Sequence, residues 1–211
     1  MSFVTFEGGD GTGKTTQVRV LNDFLVENGR GCVVTREPGG TSLGKLIRQV
    51  LVEVSDHEIS SSTELFLYLA DRAQHVNEII RPAIDVGKIV LCDRYTDSTV
   101  AYQGYGRGID LALLHQLNRL ADGGVRPDIT FLLDCPVKLG LSRTSKRQSE
   151  SGQPREDRFE REKIEFHDKV RAGFLEMAQA EPKRFRVIDA SRSIEEVWLD
   201  IKSVAEKEIL R

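Results

Sequence analysis

Residues 7–15 read EGGDGTGKT, and what stands on either side of them decides the fold. The apolar run Phe3, Val4, Thr5, Phe6 leads directly into the glycines, and Val18, Leu21, Phe24 and Leu25 follow at helical spacing. The pattern G-x-x-x-x-G-K-[ST] is met at Gly8, Gly13, Lys14 and Thr15. Strand, glycine loop and helix in that order bring backbone N–H groups and a helix N-terminus to one point, where an anion binds. Glycines permit positive φ and close approach of the backbone. Lys14 adds a charge for the β- and γ-phosphates of a nucleotide, and the Thr15 hydroxyl is placed to reach Mg²⁺. A glycine-rich turn that matches by accident is the weaker alternative.

Outward from this loop, short β-rich runs recur at residues 3–7, 31–35, 89–93, 129–135 and 185–189. Longer segments with helical periodicity separate them, such as Leu65, Leu69, Ala73, Val76 and Ile80. Parallel strands need crossover helices, so this alternation predicts a three-layer α/β/α fold of the P-loop NTPase type. Its parallel sheet would have about five strands, with ligands at their carboxyl ends. The stripe from Leu65 to Ile80 fits either an internal core or a dimer seam. Residues 144–156, TSKRQSESGQPRE, carry no large apolar side chain and are expected to form a mobile, exposed lid between anchored helices. A chain of 211 residues with 39% hydrophobic content suits one domain spanning 1–211.

With 30 Lys+Arg against 33 Asp+Glu the net charge is -3, which offers no bulk cationic field for nucleic acid or membrane surfaces. Cys32, Cys92 and Cys135 stand apart, with no metal-binding spacing, and read as small buried hydrophobes. No leader pattern opens the chain and no run of about 18 apolar residues occurs, so a reducing, cytoplasmic setting is expected.

Two further strand ends carry chemistry. Ile89 to Cys92 run into Asp93 and Arg94, where a carboxylate near Mg²⁺ and a guanidinium fork for phosphate are useful; an ordinary ion pair is the alternative. Thr35, Arg36 and Glu37 end the second strand, so Arg36 and Arg94 can face a common anion. Tyr68 and Arg72, four apart on a predicted helix, offer a stacking plane and a donor for a base, or else a half-buried Tyr beside a surface Arg. Ser98, Thr99, Tyr102 and Gln103 supply polar groups that would complete such a pocket.

Taken together the chain resembles the thymidylate kinases. The matching blocks are EGGDGTGKTT at 7–16, TREPGGT at 35–41, DRYTDSTVAYQGYGRGI at 93–109, RPD at 126–128 and DRFE at 157–160. The resemblance implies transfer of the γ-phosphoryl of ATP to dTMP, with Mg²⁺ and a homodimer. ATP would lie on Gly8, Gly9, Asp10, Gly11, Thr12, Gly13, Lys14, Thr15, Thr16 and Arg143, with Thr15 and Asp93 at the metal. Arg36 and Arg94 would clamp the dTMP phosphate. Arg72 and Gln103 would bond the thymine edge, and Tyr68 would stack on the base where the family usually has Phe. Asp10 would face the sugar hydroxyl of dTMP or the magnesium shell. Members differ in whether the catalytic arginine sits in the phosphate loop or the lid. Asp10 is followed by Gly11, so the lid must supply it, from Lys146, Arg147 or Arg155. Lys14, Asp10, Arg94 and Arg147 or Arg155 are thus the expected catalytic set.

Rival readings lack their signatures. A regulatory GTPase would carry N-K-x-D after a later strand, where Asp134, Cys135, Pro136 and Val137 stand, and a transporter ATPase would carry L-S-G-G-Q. Another nucleoside-monophosphate kinase remains the nearest alternative.

Overall fold

The computed structural model describes residues 2–52, 59–151, 158–159 and 162–210. Among the described residues five strands form one sheet: β1 (Phe3–Glu7), β2 (Cys32–Arg36), β3 (Ile89–Asp93), β4 (Ile129–Asp134) and β5 (Phe185–Asp189). Their spatial order is β2-β3-β1-β4-β5, and every pairing is parallel. The helices between them are α1 (Lys14–Glu27), α2 (Ser42–Val52), α3 (Ser61–His75), α4 (Arg81–Asp85), α5 (Thr96–Thr99), α6 (Leu111–Asp122), α7 (Val137–Ser151), α8 (Ile164–Ala180) and α9 (Ile194–Val204). Wider π-type turns continue α3, α5 and α9 at Val76–Ile80, Val100–Gly106 and Ala205–Ile209.

The central strands read as continuous apolar runs because both faces are covered. Alternate residues point to opposite faces, so Val4, Phe6, Leu91 and Phe131 pack on Val18, Leu21 and Leu25 of α1 and on Val197 and Ile201 of α9. On the other face Phe3, Val90 and Cys92 meet Val76, Ile80 and Tyr95, while Leu132 and Phe185 meet Phe166, Val170 and Phe174. This is the three-layer α/β/α arrangement that the strand and helix alternation implied. The stripe read from Leu65 to Ile80 is internal core: Leu65 and Leu69 pack on Leu114 of α6, and Val76 and Ile80 on β3. Strand limits differ from the sequence reading by one residue at β2 and at the end of β4.

The segment expected as an exposed loop from residue 144 differs more. Residues 144–151 are the last turns of α7, and Thr144 is buried. Lys, Arg, Gln and Glu are good helix formers, and extending a helix already seated through Leu139 costs little. The hydroxyls of Thr144, Ser145 and Ser149 donate to the carbonyls of Gly140, Leu141 and Ser145 at 3.2, 3.1 and 3.0 Å, which satisfies them along the helix. Arg155 and the rest of residues 152–157 lie outside the described residues.

The chain starts at the centre of the sheet, moves to the β2 edge, then crosses to β4. The crevice at that reversal, outside the end of β1, is where the glycine loop sits. The base of α7 leans on this loop. A Cβ on Gly11 would collide with the Gly140 carbonyl, and one on Gly140 would collide with the carbonyl of Asp10. Two glycines on facing segments therefore set the distance between the loop and α7. Gly140→Ala should force one backbone away from the other at a cost of about 1–3 kcal/mol, which lowers Tm by roughly 2–10 °C in scanning calorimetry. An unchanged Tm would show that α7 does not rest on the loop.

Candidate active site

β1 ends in Glu7, and Gly8 turns the chain at φ 133, where a Cβ would strike the Leu133 carbonyl. Gly13, at φ 89, precedes α1, and no side chain among the described residues caps that helix, so its first N–H groups face the cleft. Lys14 bends back over its own loop. Its Nζ donates to the carbonyls of Gly8 and Gly9 at 3.1 and 2.6 Å and to the Thr12 hydroxyl at 3.4 Å. Burial, reinforced by the Arg94 charge, brings the Lys14 ammonium down to about 8, only partly offset by Asp10, Asp93 and Glu7. The Thr15 hydroxyl donates to Asp93 Oδ2 at 2.5 Å. Two oxygen donors from separate elements thus meet beside the loop, a donor set that suits a hard cation such as Mg²⁺.

Arg94 follows β3 and stands at φ 69, a left-handed conformation that a long side chain rarely adopts. The turn is secured on both sides: Arg94 N donates to the Phe6 carbonyl at 2.9 Å, and Tyr95 N donates to Glu7 Oε1 at 2.7 Å. The conformation swings the guanidinium across the end of β1. There Nη1 donates to the Gly8 carbonyl at 3.0 Å and Ser98 Oγ at 3.1 Å, and Nη2 to Asp10 Oδ1 at 2.6 Å. Tyr102 supports this pair, its hydroxyl donating to Asp10 Oδ2 at 3.1 Å and its ring lying 5.1 Å from the guanidinium carbon. Burial pushes the Asp10 carboxyl up, but Arg94 and then Lys14 more than offset this and hold it below its ordinary value. Beneath them Glu7 is fully buried, accepting from Tyr95 and Ser98; burial and then Asp97 push its carboxyl well above the usual range.

Behind Arg94 lies a second cavity, lined by Tyr68, Arg72, Ser98, Thr99, Tyr102, Gln103 and Phe159 as well as Asp10 and Arg94. Arg72 is only 1% exposed, so it is not the surface arginine that the blander sequence reading allowed. Its Nε donates to Glu37 Oε2 at 2.9 Å and its Nη1 to Asn118 Oδ1 at 2.5 Å, leaving Nη2 without a partner among the described residues. Glu37 is itself held by His75, whose Nδ1 lies 2.8 Å from Oε1 while Nε2 lies 2.6 Å from Thr35 Oγ1. Burial lowers the Arg72 guanidinium, yet the Glu37 charge outweighs it and the net direction is up. Gln103 is buried, with Nε2 donating to Glu64 at 2.8 Å, and Thr99 Oγ1 is buried with no partner among the described residues.

Most of the sequence-predicted residues therefore fall into two adjoining cavities, while Gly8, Gly9 and Thr12 line a third pocket against Leu133 and Gly140, and Arg155 lies outside the described residues. The cleft over the loop is lined by Asp10, Gly11, Gly13, Lys14, Thr15, Thr16, Asp93, Arg36, Arg94, Arg143 and Arg147. Arg143 reaches the turn before α9, donating to the carbonyls of Ala190, Ser191 and Arg192 at 2.6, 3.0 and 3.4 Å. Arg147, one turn on, is exposed on α7, and Arg36 is exposed at the end of β2. Glu7, Glu37, Glu64, His75 and Asn118 are the site residues that sequence reasoning missed. A signal existed for two of them: Glu64, Tyr68, Arg72 and His75 recur at four, four and three residues, a polar stripe along one side of α3.

Residues 6–201 match the family model described as thymidylate kinase. The chain is 50% identical over 210 residues to the thymidylate kinase of Desulfovibrio desulfuricans, covering 99% of this chain and 97% of that protein. It is 53% identical over 189 residues to that of Desulfosudis oleivorans, covering 89% and 88%. The crystal structure of thymidylate kinase from Ehrlichia chaffeensis superposes with a TM-score of 0.75 at 39% identity, covering 96% of this chain and 97% of that one. On this match, which runs through the glycine loop, both strand-end arginines and the second cavity, the chain belongs to the thymidylate kinase family.

Proposed function

We propose that the chain transfers the γ-phosphoryl group of ATP to dTMP, giving dTDP and ADP, as one kinase domain spanning residues 1–211. The observation that carries this is the shared wall between the two cavities: Asp10, Glu37, Arg48 and Arg94 line both. A nucleoside monophosphate in the second cavity would thereby present its phosphate beside Arg94, facing the loop that holds ATP.

ATP phosphates lie on the loop from Gly8 to Thr16, with Lys14 on the β/γ oxygens and Arg143 beside the adenosine end. Thr15 and Asp93 hold Mg²⁺, which neutralises phosphate charge when bound. Arg36 and Arg94 take the dTMP phosphate, and Asp10 fixes Arg94 and faces the sugar. Tyr68 stacks on the base. Its ring lies 6.5 Å from that of Phe159, which supports an aromatic wall on that side. The transferring phosphoryl group carries spread negative charge, so donors placed before reaction are what lower its barrier. Closure of a lid at about residues 144–156 would exclude competing water.

A homodimer is supported by α2, α3 and α6, which pack side by side and leave large apolar side chains in solvent. Leu46 and Phe66 are each 61% exposed and Leu120 82%. A cytoplasmic setting is supported by three unpaired cysteines, two of them buried. Among the described residues no helix is long and apolar enough to cross a membrane.

A coupled assay with ATP and a panel of monophosphates tests the reading directly: dTMP should exceed dCMP by roughly ten- to hundredfold, the cost of an unpaired buried donor. Equal turnover of the two would refute the assignment of Arg72 and Gln103 as readers of the thymine edge.

Lys14 yields a second test. Its folded pKa of about 8 lies below the ordinary 10.5, so above pH 8 the empty site holds a neutral amine that ATP must reprotonate. Calorimetry in buffers of different ionisation enthalpy should show proton uptake on ATP binding at pH 9 and almost none at pH 6.5. Lys14→Ala should abolish that uptake and cut turnover by at least about 10²-fold while circular dichroism stays native.

Arg147→Ala should lower kcat on the order of a hundredfold with little change in dTMP KM, because a charge used late acts on the transition state. Near-normal turnover in Arg147→Ala would move the catalytic charge to Arg155.

A further inference from the structure

The amide of Gln103 has two ends, and only one can face the base. Glu64 decides which. It sits on α3 one turn before Tyr68, 0% exposed, and the side chains that reach it among the described residues are all N–H donors. Gln103 Nε2 donates to Oε1 at 2.8 Å, Arg107 Nε to Oε1 at 3.4 Å and Nη2 to Oε2 at 3.3 Å, and Arg158 Nη2 to Oε2 at 2.6 Å. A carboxylate between two guanidiniums has no proton to give, so a Gln103 turned end for end would set oxygen against oxygen in a buried site. Gln103 Oε1 is left with no partner among the described residues, in a side chain that lines the base cavity.

We propose that Glu64 is a positioning residue for pyrimidine choice: it fixes Gln103 so that the cavity presents an acceptor oxygen toward the N3 position of the base. This rests on the dTMP reading above. Thymine carries N–H at N3 and a carbonyl at C4, which match Gln103 Oε1 and the unpaired Arg72 Nη2. Cytosine carries a bare nitrogen at N3 and an amino group at C4, and it meets a like group at both. The pocket's selectivity thus depends on an ion cluster that does not touch the substrate. Arg158 lies just beyond the lid and donates Nε to the Leu51 carbonyl at 3.1 Å, tying the cluster to the end of α2.

Glu64→Gln gives a directed test. The Oε2 position takes the bonds from Arg158 at 2.6 Å and Arg107 Nη2 at 3.3 Å and retains the oxygen, so the new NH₂ group replaces Oε1, gives up the long 3.4 Å contact with Arg107 Nε, falls opposite Gln103 and turns its amide over. The ratio of kcat/KM for dTMP to that for dCMP should then fall at least about tenfold, with dTMP losing and dCMP gaining. A purely structural role would lower Tm and depress both substrates alike. Gln103→Met removes the amide and its bond to Glu64 but leaves the pairs of Glu64 with Arg107 and Arg158 in place, and it should lower the ratio by a similar factor. The double variant should be no less selective than Gln103→Met alone, since Glu64 acts through that amide. A wild-type ratio in Glu64→Gln, or a further loss in the double variant, overturns the proposal. Should Glu64→Gln fail to fold by circular dichroism, Gln103→Met decides alone, and a wild-type ratio there overturns it. Absence of dTMP turnover in the wild-type enzyme would instead remove the function reading, and this proposal with it.

Discussion

The placement of Arg94 is the constraint on which the site depends. It follows a fully parallel strand in a left-handed backbone conformation that costs on the order of 1–3 kcal/mol for such a residue. Three bonds offset that cost: Arg94 N on Phe6, Tyr95 N on Glu7, and the guanidinium on the Gly8 carbonyl. Each ties β3 to the end of β1, which the parallel register already sets at Phe6 beside Asp93. The same turn that exposes Arg94 to both cavities therefore also stiffens the first residue of the glycine loop. The glycine loop and the second cavity are not separate modules here but two faces of one strand crossing.

Around this point the protein buries charge freely, and the arrangement shows why. Glu37, His75 and Arg72 form a continuous buried relay from Thr35 to Asn118, and Glu64 gathers two more guanidiniums. Burying ions costs several kcal/mol each before pairing, so such relays are weak sources of stability. They do fix direction. A guanidinium whose Nε and Nη1 are engaged turns Nη2 toward a ligand, and a carboxylate surrounded by N–H groups dictates which end of a neighbouring amide faces out. Selectivity by direction suits a substrate whose rivals differ in donor and acceptor pattern rather than in size.

Much of this was legible in the residues. The strand, glycine and helix order around Gly8 and Lys14 is local, so it determined the loop, and the alternation of runs determined the sheet. Arg36, Arg94, Tyr68, Arg72, Thr99 and Gln103 stood out because their chemistry falls at strand ends or on one helix face. Glu7, Glu37 and Asn118 did not, since their meaning lies in partners 35 to 91 residues away that only the tertiary fold brings near. Residues 144–151 misled for the opposite reason. A polar run signals the absence of a buried face, not the absence of a helix, and α7 extends through it on the strength of its own propensity and of the turn that Thr144 buries.

The helical form of that run bears on where catalytic charge comes from. Gly11 has no room for any side chain, because the Gly140 carbonyl occupies the position a Cβ would take. The loop cannot carry its own arginine in this geometry. What the missing side chain permits is the close approach of α7, which brings a row of cations over the loop at helical spacing. Arg143 is engaged by three carbonyls at the start of α9, so it braces the far wall of the cleft. Arg147 is one turn further along, exposed and facing the same space. Under the proposed reaction, a helix held at fixed distance by two glycines delivers that charge from a stiffer base than a loop would, so less ordering is needed when the phosphoryl group moves.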